Sequence, residues 1–334
     1  MSKKVALVLG SGGARGYAHI GVIEELEARG YEIGCIAGCS MGAVVGGIYA
    51  AGKLPEYREW IESLDYLDVL RLLDISFGLG AIRGEKAFGK IHEIVGEIDI
   101  EQLPIPYTAV ATDLTNQQEI WFQEGCLHQA MRASAAIPSL FTPVTQGSRM
   151  LVDGGLLNPL PIVPVVSSHC DLIVAVNLNS LNQKQYSLPT IERPAVFKGR
   201  IDQLVGSISA RLPFWRRDDG DEEEGEVLGA IANPWLDDSR VATQQGGLTT
   251  KSASGSHPLG NVGPASLLEL INQSFETMQS SLAQYKIAGY PPDILINVPK
   301  RVCRFFEFYK APELIQLGRQ IARDTLDRYE LNNS

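Results

Sequence analysis

Val5-Ala6-Leu7-Val8-Leu9-Gly10-Ser11-Gly12-Gly13-Ala14-Arg15-Gly16 is the stretch that decides the fold, and Ile33-Gly34-Cys35-Ile36-Ala37-Gly38-Cys39-Ser40-Met41-Gly42 follows the same grammar. In each, a short apolar run, Val5 to Leu9 and then Ile33 to Ala37, stops at a glycine-rich turn. Short apolar runs bounded by glycine are the pattern of buried strands. A helical pattern follows each turn. Ile20, Ile23 and Leu26 recur at near-helical spacing with Gly30 as a stop, and an Ala/Val/Gly-rich stretch runs to about Ala51 with Gly52 as its stop. Strand, helix, strand, helix within the first fifty residues predicts an α/β fold, a mainly parallel central sheet covered by helices.

Working outward, further strands are expected at Tyr107 to Thr112, Glu119 to Phe122, Met150 to Val152, Leu172 to Val176 and Ile294 to Val298. Helices are expected at Glu85 to Val95 and Leu127 to Ala136. Two later helices carry apolar stripes: Leu267, Ile271, Phe275, Met278 and Leu282, then Leu314, Leu317 and Ile321. Pro264 and Pro312 suit their first turns. The stretch from about 181 to 263 breaks the pattern. It holds one amphipathic candidate (Phe197, Ile201, Leu204, Ile208) and is otherwise acidic and rich in Gly, Ser, Thr and Gln. It reads as an insertion in a single catalytic domain spanning 1–330, with 216–262 expected to be disordered.

The 334 residues carry a formal charge of −10, which argues against a nucleic-acid surface. Seven acidic groups fall between Asp218 and Glu226, so the rest of the chain sums to about −3. Five cysteines without CxxC spacing suggest neither a disulfide framework nor a zinc site. No stretch approaches the roughly 20 apolar residues of a spanning helix. Lys3 and Lys4 before Val5 to Leu9 make too short a run for a secretory signal, so a cytoplasmic protein is expected.

Gly38-Cys39-Ser40-Met41-Gly42 fits G-x-S-x-G, with a strand before and a helix after. A sharp strand-to-helix turn of this kind lifts a serine clear of its neighbours, and small flanking residues avoid clashes. The helix N-terminus also favours negative charge at Ser40. The plainer reading is a glycine-rich turn with an N-cap serine. In Gly12-Gly13-Ala14-Arg15-Gly16, N–H groups of adjacent glycines can bind an oxyanion, and Arg15 adds charge or braces the loop. A dinucleotide fingerprint fails on spacing, because Arg15 stands where its third glycine belongs, and no P-loop lysine follows. A serine needs a base. His19, His92, His128, His169 and His257 lie outside any turn motif, with His169 the one serious triad candidate. Asp153-Gly154-Gly155, directly after Met150-Leu151-Val152, offers an exposed carboxylate at a strand end. An ordinary Asp-Gly turn is very common, and on spacing alone it is the better account.

Taken together these motifs resemble the patatin-like phospholipases, most closely their bacterial cytoplasmic branch. That family pairs G-G-x-R-[GK], G-x-S-x-G and D-G-[GA]; all three occur here in order, at Gly12 to Gly16, Gly38 to Gly42 and Asp153 to Gly155. Ala109 to Leu114, Arg132-Ala133-Ser134 with Ile137-Pro138, Asn158 to Pro161 and Ala288 to Ile296 are similar to it as well. The resemblance covers the chain except about 181 to 263. It implies a three-layer α/β/α fold and a two-residue site without histidine. Ser40 would be the nucleophile, Asp153 the general base and the Gly12–Gly16 loop the oxyanion hole. Neither cofactor nor metal is implied, and the expected partner is a lipid or other acyl ester.

Two functions compete with a lipid acyl-ester hydrolase: an acyltransferase using the same acyl-Ser40, and a non-catalytic adaptor on the same fold. Leu212-Pro213-Phe214-Trp215-Arg216-Arg217 combines rings and cations that suit transient contact with a membrane surface, but a helix end packed on the body is the favoured reading. Cys39 reads as a small buried side chain, and Asp113 as either a site residue or a strand-end cap.

Overall fold

β1 (Lys4–Leu9) and β2 (Glu32–Cys39) run parallel, with Leu7 opposite Ile36 and Leu9 opposite Gly38. β7 (Leu172–Ser180) lies on the other edge of β1, and β8 (Ile294–Pro299) lies beyond it, again parallel. Strands this apolar are buried on both faces, and β1 shows how. Val5, Leu7 and Leu9 point into one helical layer and Ala6 and Val8 into the other. The computed structural model describes residues 3–72, 84–138, 141–181, 186–189 and 267–333. Of two compact units, 1–193 with 273–334 and 194–272, the second is described only over 267–272. The amphipathic candidate, the acidic run and Leu212 to Arg217 lie outside the described residues.

The first layer holds α1 (Ala18–Ala28), α2 (Met41–Ala50), α5 (Glu85–Val95), α6 (Leu127–Ser134) and α8 (Ala311–Asn333), with α3 (Leu54–Glu62) beside them. Short α4 (Tyr66–Leu72) lies against α5 and the 3₁₀ turn Phe308–Lys310. The second layer brings Leu160, Ile162 and Val165 together with Ala283 of α7 (Leu267–Gly289) over Ala6, Val8, Ala37 and Ala175. Small residues on this face of the sheet let α7 come close. The result is the three-layer α/β/α arrangement expected. No helix among the described residues is long and apolar enough to cross a membrane.

At β3 (Tyr107–Asp113) the sheet forks. β4 (Gln118–Phe122) takes one edge, antiparallel, from Ala109 to Asp113. The other edge is shared. β2 pairs with it in parallel up to Cys39 opposite Val110. β6 (Arg149–Asp153) then takes over, antiparallel, with Asp153 opposite Ala111. β5 (Val144–Gln146), which carries no clear signal in the sequence, closes that side against β6. Because β2 runs with β3 and β6 runs against it, their C-terminal ends meet at neighbouring positions of one strand edge.

The helix expected after Gly16 is α1 from Ala18, entered through a 3₁₀ turn, Gly13–Tyr17. One expectation needs correction: apart from Phe275, which packs on the Ile137–Phe305 cluster, the stripe on α7 is not a buried core face. Ile271 is 39% and Met278 36% exposed, whereas Glu276, Gln279 and Ser280 are buried. The helix turns polar groups inward because what it meets there is polar, as described below. The stripe on α8 is buried as its pattern predicts.

Candidate active site

Ser40 stands between β2 and α2 with φ 56° and ψ −125°. That is a left-handed conformation that side-chain-bearing residues rarely adopt, and it persists where the surroundings over-determine it. Three contacts do so. The Ser40 N–H donates to Ser134 Oγ of α6 at 2.9 Å, and the Ser134 hydroxyl donates to the Val110 carbonyl of β3 at 2.6 Å. The Ser40 carbonyl accepts the N–H groups of Ala43 and Val44, which starts α2. Gly42 lets α2 sit on the end of β1, since a Cβ there would collide with the Leu9 carbonyl. What no backbone group takes on Ser40 is its hydroxyl, which faces the Asp153 carboxyl.

The turn after β1 is arranged the other way. The Ser11 N–H donates to the Pro159 carbonyl at 2.8 Å and the Ala14 N–H to the Phe305 carbonyl at 2.9 Å. Among the described residues the N–H groups of Gly12 and Gly13 make no hydrogen bond. Gly13 has φ 56°, and a Cβ on it would lie 2.7 Å from the Phe305 carbonyl oxygen. The five-residue oxyanion loop read from the sequence therefore narrows to two free donors. Ala14 is committed elsewhere, and Gly16 is packed so tightly on Met41 that it has no room for a side chain. Arg15 points away from the turn and is 1% exposed. Its guanidinium donates to the Cys303 carbonyl at 3.1 Å, the Lys300 carbonyl at 3.3 Å and Glu276 Oε1 at 3.1 Å. It braces the loop and carries no charge to its mouth. His19 Nε2 donates to the Gly10 carbonyl at 2.8 Å; burial holds this imidazole down to about 4, so it does so neutral.

Asp153 ends β6 fully buried, which corrects the exposed carboxylate expected from its Asp-Gly-Gly turn: β3, Gly155 and the Ala136 carbonyl close over it. Its own N–H donates to the Ala136 carbonyl at 2.8 Å. Oδ1 accepts the Gly155 N–H at 2.7 Å and faces the Cys39 thiol at 3.9 Å, while Oδ2 is buried with no hydrogen-bond partner of ordinary geometry. Burial pushes the carboxyl up to about 7, and the Ser40 hydroxyl and Gly155 N–H pull it partly back. Cys39 is thus more than a filler, since its thiol lies against the carboxylate. Gly154 permits the close approach to β3, where a Cβ would meet the Val110 carbonyl.

The remaining candidates stay apart. Asp113 accepts from the N–H groups of Thr115 and Asn116 and from Asn116 Nδ2, a strand-end cap. His169 is exposed, His128 Nε2 bonds the Phe88 carbonyl, and no described histidine bonds Ser40 or Asp153. Ser134 and Glu276 were not readable as site residues. Ser134 sits in a quoted motif, but its role depends on a helix packing over 90 residues away from Ser40 in the chain.

The α/β sheet thus brings a serine on a strained strand-to-helix turn next to a buried aspartate at the facing strand end. The chain belongs to the patatin-like phospholipase family. The family model described as patatin-like phospholipase matches residues 7–166, which contain both glycine turns and the Asp153 loop. An uncharacterized NTE family protein of Mycobacterium bovis is 42% identical, over 99% of this chain and 94% of its own. A protein of Debaryomyces hansenii named as a lysophospholipase is 32% identical, over 55% of this chain and 12% of its own. The solved structure of VipD from Legionella pneumophila matches at a TM-score of 0.48 and 16% identity, over 98% of this chain and 67% of that one. The family relationship supports lipid acyl hydrolysis in the broad sense.

Proposed function

We propose that this chain is a serine acyl-ester hydrolase that cleaves fatty-acyl esters of phospholipids or lysophospholipids with a Ser40–Asp153 dyad. The observation that carries the reading is the meeting of β2 and β6 on one edge of β3, which sets Ser40 beside a buried carboxyl. In this reading Asp153 takes the Ser40 proton as Oγ attacks the ester carbonyl. The developing oxyanion is held by the free N–H groups of Gly12 and Gly13. Asp153 then protonates the departing alcohol, and water hydrolyses the acyl-Ser40. A carboxyl raised to about 7 suits both roles, because base and acid forms are both available near neutral pH.

The test is labelling of Ser40 by a fluorophosphonate, followed by turnover of phospholipids, lysophospholipids, acylglycerols and nitrophenyl esters. Failure of Ser40 to label, or full activity in Asp153→Asn, sinks the dyad. Activity should rise as pH passes through about 7, where Asp153 loses its proton, and fall away below it.

The same burial sets a stability trend. Between the ordinary carboxyl value of about 4 and the folded value of about 7, the folded protein keeps a proton that the unfolded chain has released. Stability therefore falls as pH rises through that window. Asp153→Asn escapes this loss, so its advantage over the parent should grow from pH 4 to 7 and level off at roughly 4 kcal/mol. Thermal melts across that range check it; equal melting temperatures at pH 8 would contradict a desolvated carboxylate.

A further inference from the structure

β7 breaks its register beside the first glycine turn. It pairs with β8 residue for residue from Val174 to Asn177, which lies opposite Asn297, and then slips, so that Ser180 comes opposite Pro299. An extra residue in one strand is a bulge, and bulges re-aim side chains. Here two consecutive residues of β7 reach the same turn. A Cβ on Gly12 would lie 2.6 Å from the Leu178 Cβ, and Asn179 Nδ2 donates to the Ser11 carbonyl at 2.9 Å.

Asn179 is 3% exposed and stands on a braced bulge. Its backbone N–H donates to Asn177 Oδ1 at 3.0 Å, and Asn177 Nδ2 donates to Asn297 Oδ1 at 3.0 Å. Only an amide nitrogen can face a carbonyl, which fixes how the Asn179 amide is turned. Its Oδ1 is then left buried with no hydrogen-bond partner among the described residues. A half-satisfied buried amide weakens a fold, so stability is a poor reason for placing one here.

The group it holds supplies a better reason. The Ser11 carbonyl and the Gly12 N–H belong to one planar trans peptide unit and point in opposite directions. The Ser11 N–H is already held by the Pro159 carbonyl at 2.8 Å. With its carbonyl held as well, that peptide cannot rotate, and the direction of the Gly12 N–H is set. We propose that Asn179 is the positioning residue of the oxyanion hole, aiming the Gly12 N–H by holding the Ser11 carbonyl. This rests on the hydrolase reading above, in which that N–H stabilises the oxyanion.

The experiment uses Asn179→Asp, which sets a carboxylate oxygen against the Ser11 carbonyl, and Asn179→Leu, which removes the donor at similar volume, both in the full chain. A nitrophenyl ester gives the acylation burst, the decay of acyl-Ser40 and KM. A trifluoromethyl ketone reports the oxyanion: Ser40 Oγ bonds to its carbonyl carbon, Asp153 takes the hydroxyl proton, and the ketone oxygen becomes negative. A lysophospholipid ether, which has no carbonyl, reports ground-state binding. Expected are burst and decay both slowed on the order of 10²-fold, ketone affinity per active site reduced by a matching factor, and KM and ether binding unchanged. A structural role would lower the number of sites that a fluorophosphonate labels and leave the ketone affinity of each intact. Parent rates in a folded variant, slowed rates with the parent's ketone affinity, or failure of both variants to fold overturns the assignment of Asn179 alone. A parent that neither labels with a fluorophosphonate nor binds the ketone overturns the hydrolase reading, and the Asn179 assignment with it.

Discussion

The two glycine turns, Gly10 to Gly16 after β1 and Gly38 to Gly42 after β2, share one local pattern and end in opposite states. In the first, neighbours take the outer N–H groups, through the carbonyls of Pro159 and Phe305, and leave those of Gly12 and Gly13 free. In the second, Ser134 takes the Ser40 N–H and leaves the side-chain hydroxyl to the Asp153 carboxyl. A glycine turn does not specify which group it offers. The groups packed against it decide, by satisfying some polar atoms and not others. The turns also touch: Gly16 lies on Met41, and Gly42 on the ends of Leu9 and Gly10. Two complementary offers, a hydroxyl and a pair of N–H donors, are thereby held side by side.

The sharpest way to break the contrast is Ser40→Ala, which removes the hydroxyl of the second turn. In the dyad reading kcat should fall on the order of 10⁴-fold or more, with the melting temperature near the parent's because the backbone contacts that hold the turn remain. Steady-state turnover with a nitrophenyl ester checks it.

Gly13→Ala attacks the first turn. Losing or displacing one oxyanion donor costs on the order of 10²–10³ in kcat, with little change in KM. The positive φ and the Phe305 carbonyl also predict lower stability, so melts must accompany the kinetics. Full kcat in a folded variant would mean that the free N–H groups serve something else.

Ser134→Ala tests whether the contrast is imposed from outside. It leaves the Ser40 N–H and the Val110 carbonyl buried and unpaired, which costs about 1–3 kcal/mol. We expect a melting temperature lower by several degrees and a kcat reduced about tenfold. His169→Ala, on an exposed residue with no contact to either turn, should change neither quantity. Loss of activity there would replace the dyad by a triad.

Local signals carried much of this reading. Apolar runs and glycines placed β1, β2 and both turns, since strand burial and tight turns depend on residues a few positions apart. The Asp-Gly-Gly turn at Asp153 was visible too, and the resemblance paired it with Ser40, but its contact with the Cys39 thiol was not, because Cys39 and Asp153 lie 114 residues apart and meet only through β3. The stripe on α7 misled for a related reason: periodicity reports which side chains are apolar, not what the helix will pack against.

The sequence by itself determined the alternation of strands and helices, the two turns and the three motifs, because these follow from short-range sterics and hydrophobic spacing. Only the tertiary structure decided that the Ser40 hydroxyl faces Asp153, that Arg15 turns inward to Glu276, and that Asp153 is fully buried. Those outcomes depend on which distant carbonyl, hydroxyl or methylene arrives at each polar atom. That is settled when the sheet forks and the helices close over it, not along the chain.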